Sequence, residues 1–243
     1  MAAAEVSDHP VLLHKLTLMR QEETPPREFR RLLREVTFYV GYEATKSLLV
    51  QNVDVTTPCG PAQGFKIAEK VAIIPILRAG LGMAEAMMEL LPNAAVHHIG
   101  MYRNKGSLLP VQYYNRLPRD QVADVSIVLD PMIASGKTIC ATVSILKRWG
   151  SKKIIVVSAL AARKGIEALM EEHPDITIHV GAIDQELSAE GMIVPGLGDA
   201  GDRQFLTPML DDVEMVEGTG RKRSMSGLNE ADALTQANKK VAT

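Results

Sequence analysis

Apolar runs of strand length recur through the middle of this chain, and segments with helical periodicity separate them. The runs are residues 71–77, 94–102, 125–130, 153–160 and 176–183. The helical patterns lie at 81–91, 136–149 and 163–172. Continuous β-branched runs are typical of parallel strands buried on both faces, and helices usually make the crossovers between such strands. We therefore predict an α/β domain with a doubly wound parallel sheet over about residues 60–185.

The two ends of the chain differ from this pattern. Residues 1–10 are expected to form a flexible N-terminus, and residues 11–208 a single folded domain. Within that domain, residues 27–50 space their apolar side chains as an amphipathic helix does, and NVDVTTP follows as a short extended piece. Residues 209–243 are polar and sparsely apolar, so they bury too little surface to offset the entropy of ordering. We predict that this C-terminal segment is a mobile tail.

Composition narrows the class of protein. The formal net charge of −2 gives no basic field for a nucleic-acid or membrane partner. The two cysteines, Cys59 and Cys140, are far apart, as expected for reduced thiols. The chain begins without a secretory pattern, and it has no apolar run near the ~18 residues of a membrane span. These features favour a cytoplasmic protein.

The stretch IVLDPMIASGKT, residues 127–138, ends as a nucleoside-triphosphate P-loop does. A P-loop requires a glycine five residues before Gly136, but that position is Pro131. The run also places Asp130 at the end of a strand, where a carboxylate suits the hydroxyls of a ribose better than a triphosphate. Residues 134–138 would then cradle one phosphate at a helix N-terminus. A plain strand–helix turn with Ser135 as a cap remains the alternative from this segment alone.

Several motifs in order give the chain a resemblance to a known family. They are PILRAGLGM (75–83), MYRN (101–104), VQYYNRLP (111–118), DPMIASG (130–136) and MIVPGLGDAGDRQFLT (192–207). Together they resemble the uracil phosphoribosyltransferases over about residues 10–208. The resemblance implies a phosphoribosyltransferase type I fold, with a parallel sheet flanked by helices, a flexible hood near 103–115 and a C-terminal base-binding segment. It also implies that uracil and 5-phosphoribosyl 1-diphosphate (PRPP) become uridine 5′-monophosphate and pyrophosphate.

The resemblance assigns roles to individual residues. Asp130 would hold the ribose hydroxyls, and Arg78 and Arg103 would bind the diphosphate, so these three form the expected catalytic set. The expected PRPP-binding residues are Arg78, Ala79, Gly80, Arg103, Asp130, Pro131, Met132, Ala134, Ser135, Gly136, Lys137, Thr138 and Asp199. The expected uracil-binding residues are Met192, Ile193, Gly198, Asp199 and Ala200.

The resemblance also implies a cofactor and partners. Mg²⁺ would be held mainly by substrate and water, without dedicated metal ligands on the protein. Similar enzymes are homo-oligomers, so we expect a dimer or a tetramer. Some relatives are activated by GTP, and no motif in this sequence decides whether this chain is.

Four positions depart from the family pattern: Ser135, Lys137, Met192 and Leu206. Ser135 keeps the hydroxyl of the usual threonine. Lys137 replaces a small residue and would crowd the phosphate loop if its backbone needed a positive φ. The alternative function is therefore a catalytically weak homologue that binds PRPP or nucleotide as a sensor or partner subunit. Two further points stay open: whether Asp202 and Arg203 pair with each other, and whether His97 and His98 are core residues.

Overall fold

The computed structural model of the protein describes residues 4–103 and 109–207. The predicted C-terminal tail, the middle of the predicted hood and the side chain of Arg103 lie outside the described residues. The described helices are α1 (Pro10–Arg20), α2 (Pro26–Ala44), α3 (Leu81–Leu90), α4 (Lys137–Trp149), α5 (Arg163–Glu172) and α6 (Ala200–Phe205), with a 3₁₀ turn at Thr45–Ser47. The strands are β1 (Glu5–Val6), β2 (Val50–Thr57), β3 (Gly60–Ile67), β4 (Val71–Leu77), β5 (Ala95–Val96), β6 (Ile99–Arg103), β7 (Pro110–Asn115), β8 (Val125–Leu129), β9 (Met132–Ile133), β10 (Lys153–Ala162), β11 (Thr177–Asp184), β12 (Glu186–Leu187) and β13 (Ile193–Val194).

Among the described residues, one nine-stranded sheet forms the centre of the molecule. Its order is β1-β11-β10-β8-β4-β6-β7, with β5 paired to β4 and β9 paired to β10. The pairings are parallel except the one between β6 and β7. The prediction of an α/β fold with a mostly parallel sheet flanked by helices is confirmed.

Alternate residues of the central strands face two separate cores. Ile73 and Ile127 belong to the core beneath α1, α2 and α3, whereas Ile74 and Val128 belong to the core beneath α4 and α5. These side chains are fully buried on both faces. Because neither face of these strands meets water, their sequence is continuously apolar, and each buried isoleucine contributes about 1.5–3 kcal/mol of transfer free energy.

The structure changes three details of the sequence-based expectations. Part of the segment 1–10 has a place in the sheet, because β1 pairs in parallel with β11. The predicted helix over 27–50 ends at Ala44. The extended piece NVDVTTP belongs to a two-stranded antiparallel hairpin of β2 and β3. The hairpin carries largely exposed side chains, so its second strand lacks the apolar pattern that would have predicted it.

No helix among the described residues combines the length and the apolar character that crossing a bilayer requires.

The buried His179 and the half-buried His97 make stability depend on pH. Burial lowers the pKa of His179 on β11, although the carboxylates of Glu5 and Glu43 oppose the shift. Burial, and then the neighbouring His98, lower the pKa of His97, whose ring packs edge-on against Trp149 at 5.6 Å. His97 and His98 are each half-buried, so neither is a fully buried core residue. The imidazoles of His179 and His97 are favoured in the neutral form in the folded protein.

We expect the free energy of unfolding to fall as the pH drops below the ordinary histidine value of about 6.5. Below that pH the unfolded chain binds protons that the folded chain does not. Each such proton lowers the free energy of unfolding by up to about 1.4 kcal/mol per pH unit. His179→Leu should flatten this fall, measured by urea unfolding between about pH 7 and pH 5. The control is His14→Leu at an exposed position of α1. An unchanged slope in His179→Leu would contradict the assignment.

Candidate active site

The ends of two neighbouring strands bring a cation and an anion to the same edge of the sheet. Strand β4 ends at Leu77 and is followed by Arg78, and β8 ends at Leu129 and is followed by Asp130. The strands pair in parallel, with Pro75 opposite Leu129. The carboxyl ends of strands in an open α/β sheet are where ligands collect. Asp130 and Arg78 therefore line one cleft.

Gly80 sets the distance between the two strand ends. A Cβ atom built at Gly80 would lie 2.3 Å from the carbonyl oxygen of Leu129 and 2.8 Å from that of Ile76. The Gly80 amide donates to the Ile76 carbonyl at 2.8 Å. The absence of a side chain thus lets the Arg78 loop pack on the backbone of β8, and Gly80 itself is not among the residues that line the cleft. The Leu77–Arg78 peptide bond is cis.

The turn between β9 and α4 forms a small pocket beside Asp130. The pocket has a volume of about 30 Å³, and Ser135, Gly136 and Thr138 are among the residues that line it. Gly136 has φ of 77°, and a Cβ there would lie 2.7 Å from the Gly165 carbonyl oxygen. Only glycine fits this position without strain. Hydroxyls beside the start of a helix suit an anion such as a phosphate.

Lys137 is the first residue of α4 and its side chain is exposed. Among the described residues other than glycine, only Leu206 has a positive φ, so Lys137 does not adopt the conformation that would strain it. Its neighbours Gly136 and Thr138 line the small pocket between β9 and α4, but Lys137 does not. The concern that this lysine crowds the turn is therefore not supported by the backbone.

The segment 193–200, which we call the base loop, forms the opposite wall of the cleft. It comprises β13, a turn and the start of α6. Asp199 caps α6, because its Oδ1 accepts hydrogen bonds from the amides of Gly201 at 2.8 Å and Asp202 at 2.9 Å. The capped turn holds the Asp199 carboxylate at the cleft wall.

The cleft has a volume of about 520 Å³ and gathers most of the predicted site residues. It is lined by Ile76, Leu77, Arg78, Ala79, Met101, Tyr102, Tyr113, Asp130, Met132, Ala134, Thr138, Gly191, Met192, Ile193, Gly198, Asp199, Ala200 and Gly201. Ser135 and Gly136 line the adjoining small pocket. Gly80, Pro131 and Lys137 line neither cavity, and the side chain of Arg103 lies outside the described part of the chain.

Sequence reasoning missed the tyrosine wall of the cleft. Tyr102 on β6 and Tyr113 on β7 place their ring centroids 6.2 Å apart. The motifs MYRN and VQYYNRLP had marked both strands, but the antiparallel pairing of β6 with β7 that joins the tyrosines has no local sequence pattern.

Arg78 is held at the cleft by the segment that follows the base loop. Its Nη2 donates to Asp202 Oδ1 at 3.0 Å, and its Nη1 donates to Thr207 Oγ1 at 3.1 Å. The Arg78 side chain is still 50% exposed, so donors remain available to a ligand. Asp202 therefore pairs with Arg78, and a structural pair of Asp202 with Arg203 is not what forms. Arg203 instead donates to the main-chain carbonyls of Met19, Leu197 and Gln21.

A second group of ligand-type side chains lies outside the cleft. Cys140, Glu172 and His173 are the one set of this kind found among the described residues. His173 Nε2 donates to the Cys140 carbonyl at 3.1 Å, and Lys147 Nζ donates to His173 Nδ1 at 3.2 Å. Burial, with a hydrogen bond to the Glu172 carboxylate, raises the pKa of the Cys140 thiol to about 12. A neutral thiol, a satisfied imidazole and an adjacent ammonium group do not suit a metal ion.

Comparison with known proteins gives a consistent result. The family model described as "Uracil phosphoribosyltransferase" matches residues 6–207. A uracil phosphoribosyltransferase of a Roseiflexus species is 49% identical, over 85% of this chain and 100% of that protein. One from Dictyoglomus turgidum is 50% identical, over 83% of this chain and 98% of that protein. A solved structure from Aquifex aeolicus has a TM-score of 0.79 at 35% identity, covering 84% of this chain and 97% of the other.

Leu206, the residue that follows α6, has φ of 55° and ψ of 30°. This left-handed conformation costs a leucine roughly 1–2 kcal/mol, and glycine adopts it freely at a backbone-entropy cost of about 0.5–1 kcal/mol. Because the leucine side chain is 75% exposed, little packing is lost on its removal. We expect Leu206→Gly to raise the free energy of unfolding by about 0.5–1 kcal/mol in urea unfolding.

The matched control is Leu49→Gly, since Leu49 is 63% exposed and does not have a positive φ. Leu49→Gly should lower the free energy of unfolding. Equal effects of the two substitutions would show that the Leu206 backbone stores no strain.

Proposed function

Because the chain belongs to the uracil phosphoribosyltransferase family, we propose that the cleft between Arg78, Asp130 and the base loop is its active site. The protein is a pyrimidine-salvage transferase. It converts uracil and PRPP to uridine 5′-monophosphate and pyrophosphate. The observation that carries the site assignment is the shared cleft: a carboxylate, a phosphate-type turn, an arginine and a glycine-rich loop line adjoining cavities.

The ribose 5-phosphate half of PRPP fits the side of the cleft formed by β8 and α4. The Asp130 carboxylate would accept hydrogen bonds from the ribose 2′- and 3′-hydroxyls. The 5-phosphate would lie in the turn of residues 134–138, where Ser135 and Thr138 offer hydroxyls and α4 begins. Each part is supplied by one strand–turn–helix unit, so their spacing is fixed by the backbone.

The diphosphate of PRPP fits beside Arg78. A guanidinium is planar and always charged, so it can meet two phosphate oxygens at once. The hydrogen bonds to Asp202 and Thr207 fix its orientation before substrate arrives. Arg103 would approach the diphosphate from the hood.

The base fits the base loop, whose residues Ile193, Gly198 and Ala200 line the cleft. Uracil presents two carbonyls and an N3–H, and main-chain amides and carbonyls can pair with that pattern. Cytosine carries an amino group at C4 and would leave a buried polar group unpaired. Asp199 lies next to this position, with Oδ1 already engaged as a helix cap.

The reaction transfers the phosphoribosyl group from pyrophosphate to uracil. The bond between its anomeric carbon and a pyrophosphate oxygen is replaced by a bond to uracil N1. The bond to the leaving oxygen breaks ahead of attack, so positive charge develops on the ribose ring. The Asp130 carboxylate would stabilise this charge, and the Arg78 guanidinium would stabilise the departing pyrophosphate. The N1 proton leaves to solvent or a carboxylate as the new C–N bond forms.

The residues at the cleft suit a magnesium ion that arrives with its substrate. Asp130 and Asp199 both line the cleft, and hard carboxylate oxygens are ligands that Mg²⁺ accepts directly or through water. Bound there, Mg²⁺ would supply countercharge to the diphosphate oxygens.

We expect purified protein to form uridine 5′-monophosphate from uracil, PRPP and Mg²⁺, and not to use cytosine, orotate or hypoxanthine. Asp130→Asn should lower kcat by at least about 100-fold, because it removes the negative charge beside the developing cation. Steady-state product formation measures both results. If the protein binds PRPP but turns over no base, with or without GTP, the alternative of a catalytically weak homologue would be favoured instead. Neither the structure nor the relatives support that alternative.

Lys137, which replaces the small residue of the family pattern, provides a second prediction. Because its side chain is exposed and its backbone unstrained, Lys137→Gly should leave kcat within about threefold and raise KM for PRPP by a few-fold, as expected for one weakened charge interaction. A rise of kcat by more than tenfold would show that the lysine obstructs the site.

We further propose a cytoplasmic homo-oligomer, a dimer or tetramer. An exposed aromatic side chain outside the cleft supports a subunit contact, because Phe65 on the β2–β3 hairpin is 72% exposed. Light scattering of the purified protein tests the oligomeric state, and the activity assay with added GTP tests activation.

A further inference from the structure

The base loop is held from outside the cleft by an ion pair. Arg20, the last residue of α1, donates through Nη1 and Nη2 to both carboxylate oxygens of Asp184, at 2.7 and 2.8 Å. The same Nη1 donates to the carbonyl oxygen of Gly196 at 2.8 Å. Arg20 and Asp184 are 164 residues apart in sequence, and neither is among the residues that line the cleft.

Asp184 contacts the same turn directly. Its Oδ2 accepts a hydrogen bond from the Gly196 amide at 2.9 Å. Burial alone would raise the pKa of Asp184, but the hydrogen bonds from Arg20 and Gly196 outweigh it and lower the pKa. Arg20 and Asp184 therefore engage both the carbonyl and the amide of Gly196, which fixes the orientation of the two flanking peptide groups.

A second arginine restrains the next peptide group. Arg203 donates to the Leu197 carbonyl at 2.8 Å, and its guanidinium lies 4.5 Å from the centroid of the Phe29 ring. The Gly196 and Leu197 carbonyls are thus engaged by arginines, and these two residues do not line the cleft, whereas Ile193, Gly198 and Ala200 do.

We propose that Arg20 and Asp184 are positioning residues for uracil: by fixing the Gly196 peptide groups they set the hydrogen-bonding pattern that the base loop offers to the base. The proposal rests on the proposed function of this cleft. The proposal predicts different effects on the two substrates, because the hydrogen bonds given for the pair among the described residues reach Gly196, whereas the PRPP half of the cleft is built from β4, β8 and α4.

The partly buried setting makes the pair sensitive to substitution. The Asp184 side chain is 10% exposed and the Arg20 side chain 25%. Removing the guanidinium leaves the carboxylate uncompensated, and a lysine restores the charge without the two-pronged geometry. The loss should therefore be larger in Arg20→Met than in Arg20→Lys.

The test compares KM for uracil with KM for PRPP in Arg20→Lys, Arg20→Met and Asp184→Asn. We expect KM for uracil to rise by about tenfold or more in Arg20→Met and Asp184→Asn, with KM for PRPP within about threefold of the parent. Discrimination against cytosine should fall in the same variants. A fourth variant, Arg20→Ala, leaves space for a small cation, and millimolar guanidinium should partly restore its KM for uracil by refilling the vacated site.

The matched control is Lys15→Met, which breaks another partly buried ion pair of α1, that of Lys15 with Glu35 at 2.5 Å. It should leave both KM values unchanged. Equal changes in both KM values, or no change in folded Arg20 and Asp184 variants, would overturn the positioning role. If Arg20→Met does not fold, the same comparison of KM for uracil with KM for PRPP is made in Arg20→Lys and Asp184→Asn. Loss of folding in all three variants would also overturn the proposal.

The parent protein separates this proposal from the proposed function. A parent that forms no uridine 5′-monophosphate contradicts the proposed function itself. An active parent whose folded variants keep the KM for uracil contradicts only the role of Arg20 and Asp184.

Discussion

The parallel pairing of β4 with β8 is the constraint on which the site depends. It carries Arg78 and Asp130 to one edge of the sheet, and the close contact of Gly80 with the Leu129 carbonyl fixes the separation of their loops. The buried apolar faces of both strands supply the free energy that holds this arrangement. The opposite charges at the edge are therefore placed by the core beneath them rather than by attraction to each other.

The base loop has a different kind of support. It follows the last long strand and contains two glycines, Gly196 and Gly198, so backbone propensity alone does not fix its conformation. Side chains of Arg20, Asp184 and Arg203 hold its outer side. The cleft thus joins a half built on the ends of sheet strands to a half restrained by polar contacts from α1 and α6. Under the proposed assignment, the first half would bind the charged sugar phosphate and the second half the small neutral base.

The sequence predicted the central strands and the Asp130–Thr138 turn well, because burial on both faces and a strand–turn–helix unit leave local patterns. It did not predict the β2–β3 hairpin, whose exposed side chains lack alternation. The contacts of Arg20 with Asp184 and of Arg78 with Asp202 join distant segments, and no local period encodes them. Leu206 was recognised as a departure from glycine, but its left-handed backbone became visible only in three dimensions.

A crystal structure of the protein with bound uridine 5′-monophosphate would test the central claim most directly. We expect the ribose hydroxyls at the Asp130 carboxylate, the phosphate within the turn of residues 134–138, and the uracil ring against the main chain of Ile193, Gly198 and Ala200. The Arg20–Asp184 pair should stay in contact with Gly196. A nucleotide bound elsewhere, or bound in this cleft with its base away from the base loop, would contradict the assignment of the two halves.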